Sequence, residues 1–160
     1  NIINYTHYNT QNNITQNDGV IIYIKNHISH TVNEIIINQS NCLKIVLDKH
    51  VTIFSIYRSP ATSTTPFLNS LNQFLSCVTD CDNLLIIGDL NIDIINSMHP
   101  QANDYINLLT FQGFVPAITA PTRVSGSSEQ PCAKETPVAG WCFRYRTQIQ
   151  VLSAGSCAVF

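Results

Sequence analysis

Leu84-Leu85-Ile86-Ile87-Gly88-Asp89-Leu90-Asn91-Ile92-Asp93 changes character at its one glycine. Four consecutive apolar residues suit a strand covered on both faces, as inside a layered α/β sheet. After Gly88, Asp89, Asn91 and Asp93 follow at alternate positions. If strand geometry persists, alternation sets all three on one face. The end of a strand in an α/β sheet is where sites form. Carboxylate and carboxamide oxygens together suit a hard cation such as Mg2+, or a water held for attack. The same residues also suit an Asx-turn closing the strand.

Outward from this stretch, strand and helix signals alternate. Leu43 to Leu47 and Val51 to Tyr57 read as strands separated by Asp48-Lys49-His50, a hairpin's loop length. Glu34 to Ile37 reads as another strand. Asn17-Asp18-Gly19 is a turn signal leading into Val20-Ile21-Ile22-Tyr23-Ile24, a β-branched run suited to a buried strand. Pro60 and Pro66 bracket a Ser/Thr-rich loop. After it, Phe67, Leu68, Leu71, Phe74, Leu75 and Val78 recur at helical spacing. Tyr105, Leu108, Leu109 and Phe111 mark a second helix, stopped at Gly113. The pattern predicts an α/β (α+β) fold: a sandwich of two mixed β-sheets flanked by helices.

The chain is 160 residues long, one domain's worth. Charged residues make up 11%, less than half the roughly 25% of an ordinary soluble domain. Asparagine fills that polar quota, with 17 Asn beside 21 Ile. So much Ile with so little charge excludes a disordered chain. No apolar run approaches the roughly 18 residues of a membrane span. The N-terminus lacks the basic start and long apolar block of a signal peptide. A net charge of −2 supplies no Lys/Arg stripe, so any contact with nucleic acid runs through a small site.

Cys77 and Cys81 are the one close pair among six cysteines, without a second pair or a His at finger spacing. Reduced thiols in the nucleus or cytoplasm are expected, not secretion. A composition break falls near Ser128. At the Asn frequency of residues 1–128, the last 32 would hold about four; they hold none. They carry instead three of the six Cys and the only Trp, Trp141. The break reads as a tail over 129–160 of different coding origin, such as a frameshift, read-through or fusion, or else as a second small region.

Two further stretches could meet a phosphate. In Ser55-Ile56-Tyr57-Arg58-Ser59-Pro60, a phenol and a guanidinium stand at a strand end beside a rigid turn. In Pro121-Thr122-Arg123-Val124-Ser125-Gly126, a hydroxyl and an Arg sit in a polar loop. With Asn17-Asp18-Gly19-Val20 before them and Gly88-Asp89-Leu90-Asn91-Ile92-Asp93 between them, these motifs stand in an ordered series. That series resembles the endonuclease domain of non-LTR retrotransposons, in particular of jockey-like elements, within the endonuclease/exonuclease/phosphatase superfamily. The resemblance covers roughly residues 1–128.

The resemblance implies a four-layer sandwich, incomplete in this chain. It also implies a Mg2+-dependent phosphodiesterase that nicks one DNA strand to prime reverse transcription. Asp89 matches the carboxylate that orients or deprotonates the attacking water. Asn91 would hold the phosphate or that water, and both would be metal ligands. Tyr57 matches the tyrosine that stabilises charge on the phosphorus oxygens. Arg58, Thr122 and Arg123 take phosphate-side or packing places, and Asp93 a structural one. DNA is the implied partner, and a monomer without a small-molecule cofactor is expected.

Two departures bear on activity. The family carries a metal-binding Glu upstream of its Gly-Val strand, whereas no acidic residue precedes Asp18. The family also ends on an Asp-His pair, whereas Ser127-Ser128 continue into Glu129-Gln130-Pro131 and no His follows Thr122. An inactive copy is expected; if nicking did occur, Asp18 or Glu34 would be the groups taking over as metal ligands. A host-retained interaction module, or another phosphodiesterase or phosphatase of the superfamily, is the competing reading.

Overall fold

The computed structural model describes residues 2–11, 18–48, 51–78, 83–94 and 98–116, and the backbone of 142–144 and 158–159. The strands are β1 (Tyr5–Asn9), β2 (Ile21–Lys25), β3 (His30–Ile37), β4 (Ser40–Leu47), β5 (Val51–Tyr57), β6 (Asn83–Asp89), β7 (Val115–Pro116), β8 (Cys142–Arg144) and β9 (Ala158–Val159). The helices are α1 (Thr64–Ser76) and α2 (Pro100–Phe111). One sheet has the order β1-β2-β9 and the other β3-β4-β5-β6-β8-β7. Both are mixed. The antiparallel β1/β2 pair continues into a parallel β2/β9 pair, and β3, β4 and β5 form an antiparallel run before the parallel β5/β6 pair.

The continuous apolar runs resolve into two faces. Leu43, Ile45, Ile53, Leu85 and Ile87 pack with Ile22 and Ile24 of β2, forming the layer between the sheets. Cys42, Phe54, Ile56, Leu84 and Ile86 turn the other way, onto Phe67, Leu68, Leu71 and Leu75 of α1 and Ala102, Tyr105 and Leu109 of α2. Each large aliphatic or aromatic side chain so buried contributes roughly 1.5–3 kcal/mol. This double coverage is why the strands read as unbroken hydrophobic runs. It gives the two-sheet sandwich that the sequence predicts.

Several boundaries differ from the sequence reading. β3 begins at His30, not Glu34, and runs into β4 through a two-residue turn with Ile37 opposite Ser40. Asn38 and Gln39 in that turn have φ of 43° and 63°, the left-handed values a tight hairpin needs, without a glycine to announce it. β1 is polar, and its pairing with β2 gives it strand form. α1 starts at Thr64, with Pro66 in its first turn, where a missing N–H costs nothing. From the last 32 residues, Cys142–Arg144 pairs with β6 and β7, and Ala158–Val159 with β2. Trp141 lies outside the described residues.

Candidate active site

β5 and β6 run parallel, and their last residues, Tyr57 and Asp89, are register partners. Neighbouring strands lie about 4.8 Å apart, so a phenol and a carboxylate stand side by side at the C-terminal ends of two central strands. The close approach rests on Gly88, opposite Ile56 in the ladder. Its φ is +131°, and a Cβ there would sit 1.9 Å from the Ile56 carbonyl oxygen. No L side chain fits that position.

Beyond Asp89, Leu90 and Ile92 continue onto the helix-side core with Leu84 and Ile86. Ladder pairing stops, and Asn91 turns into the left-handed region at φ 50°. Its backbone N–H donates to Asp89 Oδ1 at 3.0 Å, the Asx-turn the sequence allows. Its Nδ2 donates one N–H to the Arg58 carbonyl at 2.7 Å, so Oδ1 and the second N–H are what its side chain can offer a ligand. The Arg58 N–H donates to the Asp89 carbonyl at 3.0 Å. The two motifs, 32 residues apart in sequence, form one cross-linked unit.

Arg58 is buried, 3% exposed. Its Nε donates to the Leu90 carbonyl at 2.7 Å and an Nη to the Asn91 carbonyl at 2.8 Å, while the other Nη reaches the Thr62 carbonyl. The Phe67 ring lies 5.9 Å from the guanidinium carbon, within cation–π range. Burial draws the guanidinium's pKa down, and the Asp89 charge pulls it back up. Of the two places the resemblance allows, these contacts favour packing: Arg58 braces the strand ends from beneath. Thr122 and Arg123 lie outside the described residues.

A fourth residue joins the group. Tyr57 has its pKa raised, by burial first, then by the neighbouring Asp18 and by the charge of Asp89. Asp18 Oδ2 is itself buried without a hydrogen-bond partner. Tyr57, Asp89, Asn91 and Asp18 are all partly exposed, within reach of a ligand. In sequence Asp18 reads as a turn residue; only the stacking of β2 on β4, β5 and β6 carries it to a tyrosine 39 positions on. Glu34 lies elsewhere, both oxygens accepting the Gln11 N–H at 3.1 Å. Asp93 is partly exposed next to the group's chain end.

A divalent cation finds matching donors in kind. An orphaned buried carboxylate oxygen calls for a donor, a water or an ion, and the carboxylates of Asp18 and Asp89 both act on Tyr57. In number the set is thin: among the described residues no three His, Cys, Asp or Glu side chains gather as a metal cluster.

No protein-family model matches the chain, and no curated protein matches its sequence. Solved structures do. The endonuclease domain of TRAS1, a telomere-specific non-LTR retrotransposon, superposes with a TM-score of 0.59 at 12% identity, over 91% of this chain and 68% of that one. An endonuclease/exonuclease/phosphatase family protein from Leptotrichia buccalis superposes with a TM-score of 0.51 at 15% identity, over 87% of this chain and 58% of the other. Among the described residues no helix is long and apolar enough to cross a membrane. The chain carries the two-sheet fold of the endonuclease/exonuclease/phosphatase proteins.

Proposed function

We propose that the chain is part of a Mg2+-dependent DNA endonuclease of the non-LTR retrotransposon kind, and that this copy keeps the phosphate-facing strand ends without nicking DNA. The observation that carries the reading is the pairing of Tyr57 with Asp89 at the ends of β5 and β6, within a fold shared with the TRAS1 endonuclease domain. Asp89 would orient the attacking water, Asn91 Oδ1 would face phosphate or water, and Tyr57 would meet charge on the phosphorus oxygens. Thr122 and Arg123 are proposed phosphate-side residues. When bound, Mg2+ would be held by Asp89 and Asn91 and would neutralise phosphate charge. The protein would act as a monomer in the nucleus or cytoplasm, with 1–128 as the endonuclease-like unit. Residues 129–160 would be a tail of separate origin that lends β8 and β9.

Inactivity follows from chemistry. Within residues 1–160, no acidic residue precedes Asp18 and no His follows Thr122, so these residues alone supply neither the Glu nor the Asp-His pair of the resemblance. General acid–base groups contribute on the order of 10²-fold or more each. Octahedral Mg2+ held by so few protein oxygens is weakly bound. Purified protein should therefore leave supercoiled plasmid intact in Mg2+. Nicking that vanishes with EDTA and in Asp89→Ala would overturn the inactivity.

A further inference from the structure

We propose that the phosphate site at Tyr57 and Asp89 continues across the sheet to β3, where Ile36 meets the deoxyribose of a neighbouring nucleotide. The inference rests on the reading of Tyr57 and Asp89 as phosphate-facing residues. Register sets four side chains in one line. Asn41 of β4 pairs with Ile36 of β3 on one side and with Tyr57 of β5 on the other, and Tyr57 pairs with Asp89 of β6. Residues paired directly across strands share a face. One row deeper, Glu34, Leu43, Ser55 and Ile87 pair in the same way, and Leu43 and Ile87 belong to the layer packed on β2. The line from Ile36 to Asp89 is therefore the next row outward on the inter-sheet face.

Among the described residues, cover from the second sheet stops one row short of Ile36. Val32 packs against the inter-sheet layer, and Glu34 accepts the Gln11 N–H at 3.1 Å. Ile36 follows on the same face and is 57% exposed, while Ile35 and Ile37 pack on the helix side. Asn41, 3% exposed, is the floor between Ile36 and the partly exposed Tyr57. Strands about 4.8 Å apart put the Ile36 and Tyr57 backbones about 10 Å from each other. That is about three of the roughly 3.4 Å steps by which phosphates advance along a DNA strand. A strand lying along the row with one phosphate at Tyr57 thus sets a sugar over Ile36. An isoleucine side chain has no hydrogen bond to give, so it fits the carbon face of a deoxyribose, which gains by leaving water.

The test measures binding of a short fluorescein-labelled DNA duplex by anisotropy, in EDTA and over a series of salt concentrations, for the full chain. Ile36→Lys sets a cation at the far end of the row, and Phe111→Lys sets the same cation on α2, where Phe111 is 86% exposed. Both positions are open, so neither lysine disturbs the core. Ile36→Lys should reach a phosphate beside the sugar, bind severalfold more tightly, and steepen the slope of log K against log salt by about 0.9. Phe111→Lys should leave the slope as it was, and Ile36→Ala should weaken binding about threefold. An equal gain from the two lysines, no gain from Ile36→Lys, or no binding by any variant overturns the proposal. Asp89→Asn tests the underlying reading by itself, since removing a like charge beside the phosphate should tighten binding. A tighter Asp89→Asn with an unchanged Ile36→Lys leaves the phosphate site standing and refutes its extension. A tighter Ile36→Lys with an unchanged Asp89→Asn refutes the phosphate at Tyr57 and Asp89, and the row with it.

Discussion

Replacing Arg58 by Met tests whether the site is braced from beneath. Met fills most of the same volume and keeps an apolar contact with Phe67, so the substitution isolates the guanidinium's hydrogen bonds. The Leu90 carbonyl accepts Nε in a fully buried setting, whereas the Asn91 and Thr62 carbonyls are part-buried. A hydrogen bond from a charged donor is worth about 1.5–3 kcal/mol, and a buried acceptor left alone costs about 1–3 kcal/mol. Water can reach the two part-buried carbonyls and recover some of their loss. The buried one therefore dominates, and the total comes to about 3–4 kcal/mol. A domain of this size has about 5–15 kcal/mol of stability, so Arg58→Met should fold but unfold at much lower denaturant. With a slope of about 1–3 kcal/mol per molar urea, the midpoint should fall by at least about 1 M at unchanged slope. A loss below about 1 kcal/mol would refute the brace and return Arg58 to the phosphate side.

Gly88→Ala forces an L residue to a φ of +131° and a Cβ into the Ile56 carbonyl oxygen, so it should destabilise by about 3 kcal/mol or more, read as a drop in the urea midpoint. Cys42 is buried, and burial pushes its thiol up to about 12, while Cys77 is exposed. Alkylation at pH 8 with mass mapping should mark Cys77 quickly and Cys42 only in denaturant; equal labelling in the folded state would contradict the packing of β4 against α1.

The core strands are legible because their apolar runs are long, β-branched and bounded by turn residues. The allocation of faces is not. In Leu84-Leu85-Ile86-Ile87 every position is apolar, so the period of two shows only once α1 and α2 take Leu84 and Ile86 and β2 takes Leu85 and Ile87. β1 carries no hydrophobic pattern of its own, and its strand form comes from the register with β2. The Asn38-Gln39 turn lacks the glycine that marks such turns, so the extent of β3 and β4 is hidden at their shared end.

The site divides in the same way. Tyr57 and Asp89 each stand where an apolar run meets polar sequence, which is a local signal. What joins them to Arg58 and Asp18 is not local. A guanidinium beside a proline turn reads as exposed, because a lone charge is costly to bury. Burial becomes affordable once the chain supplies carbonyls at Thr62, Leu90 and Asn91 in matching directions. The ring of acceptors beneath the strand ends therefore engages the Arg58 guanidinium, and Tyr57 and Asp89 stand partly exposed at those ends.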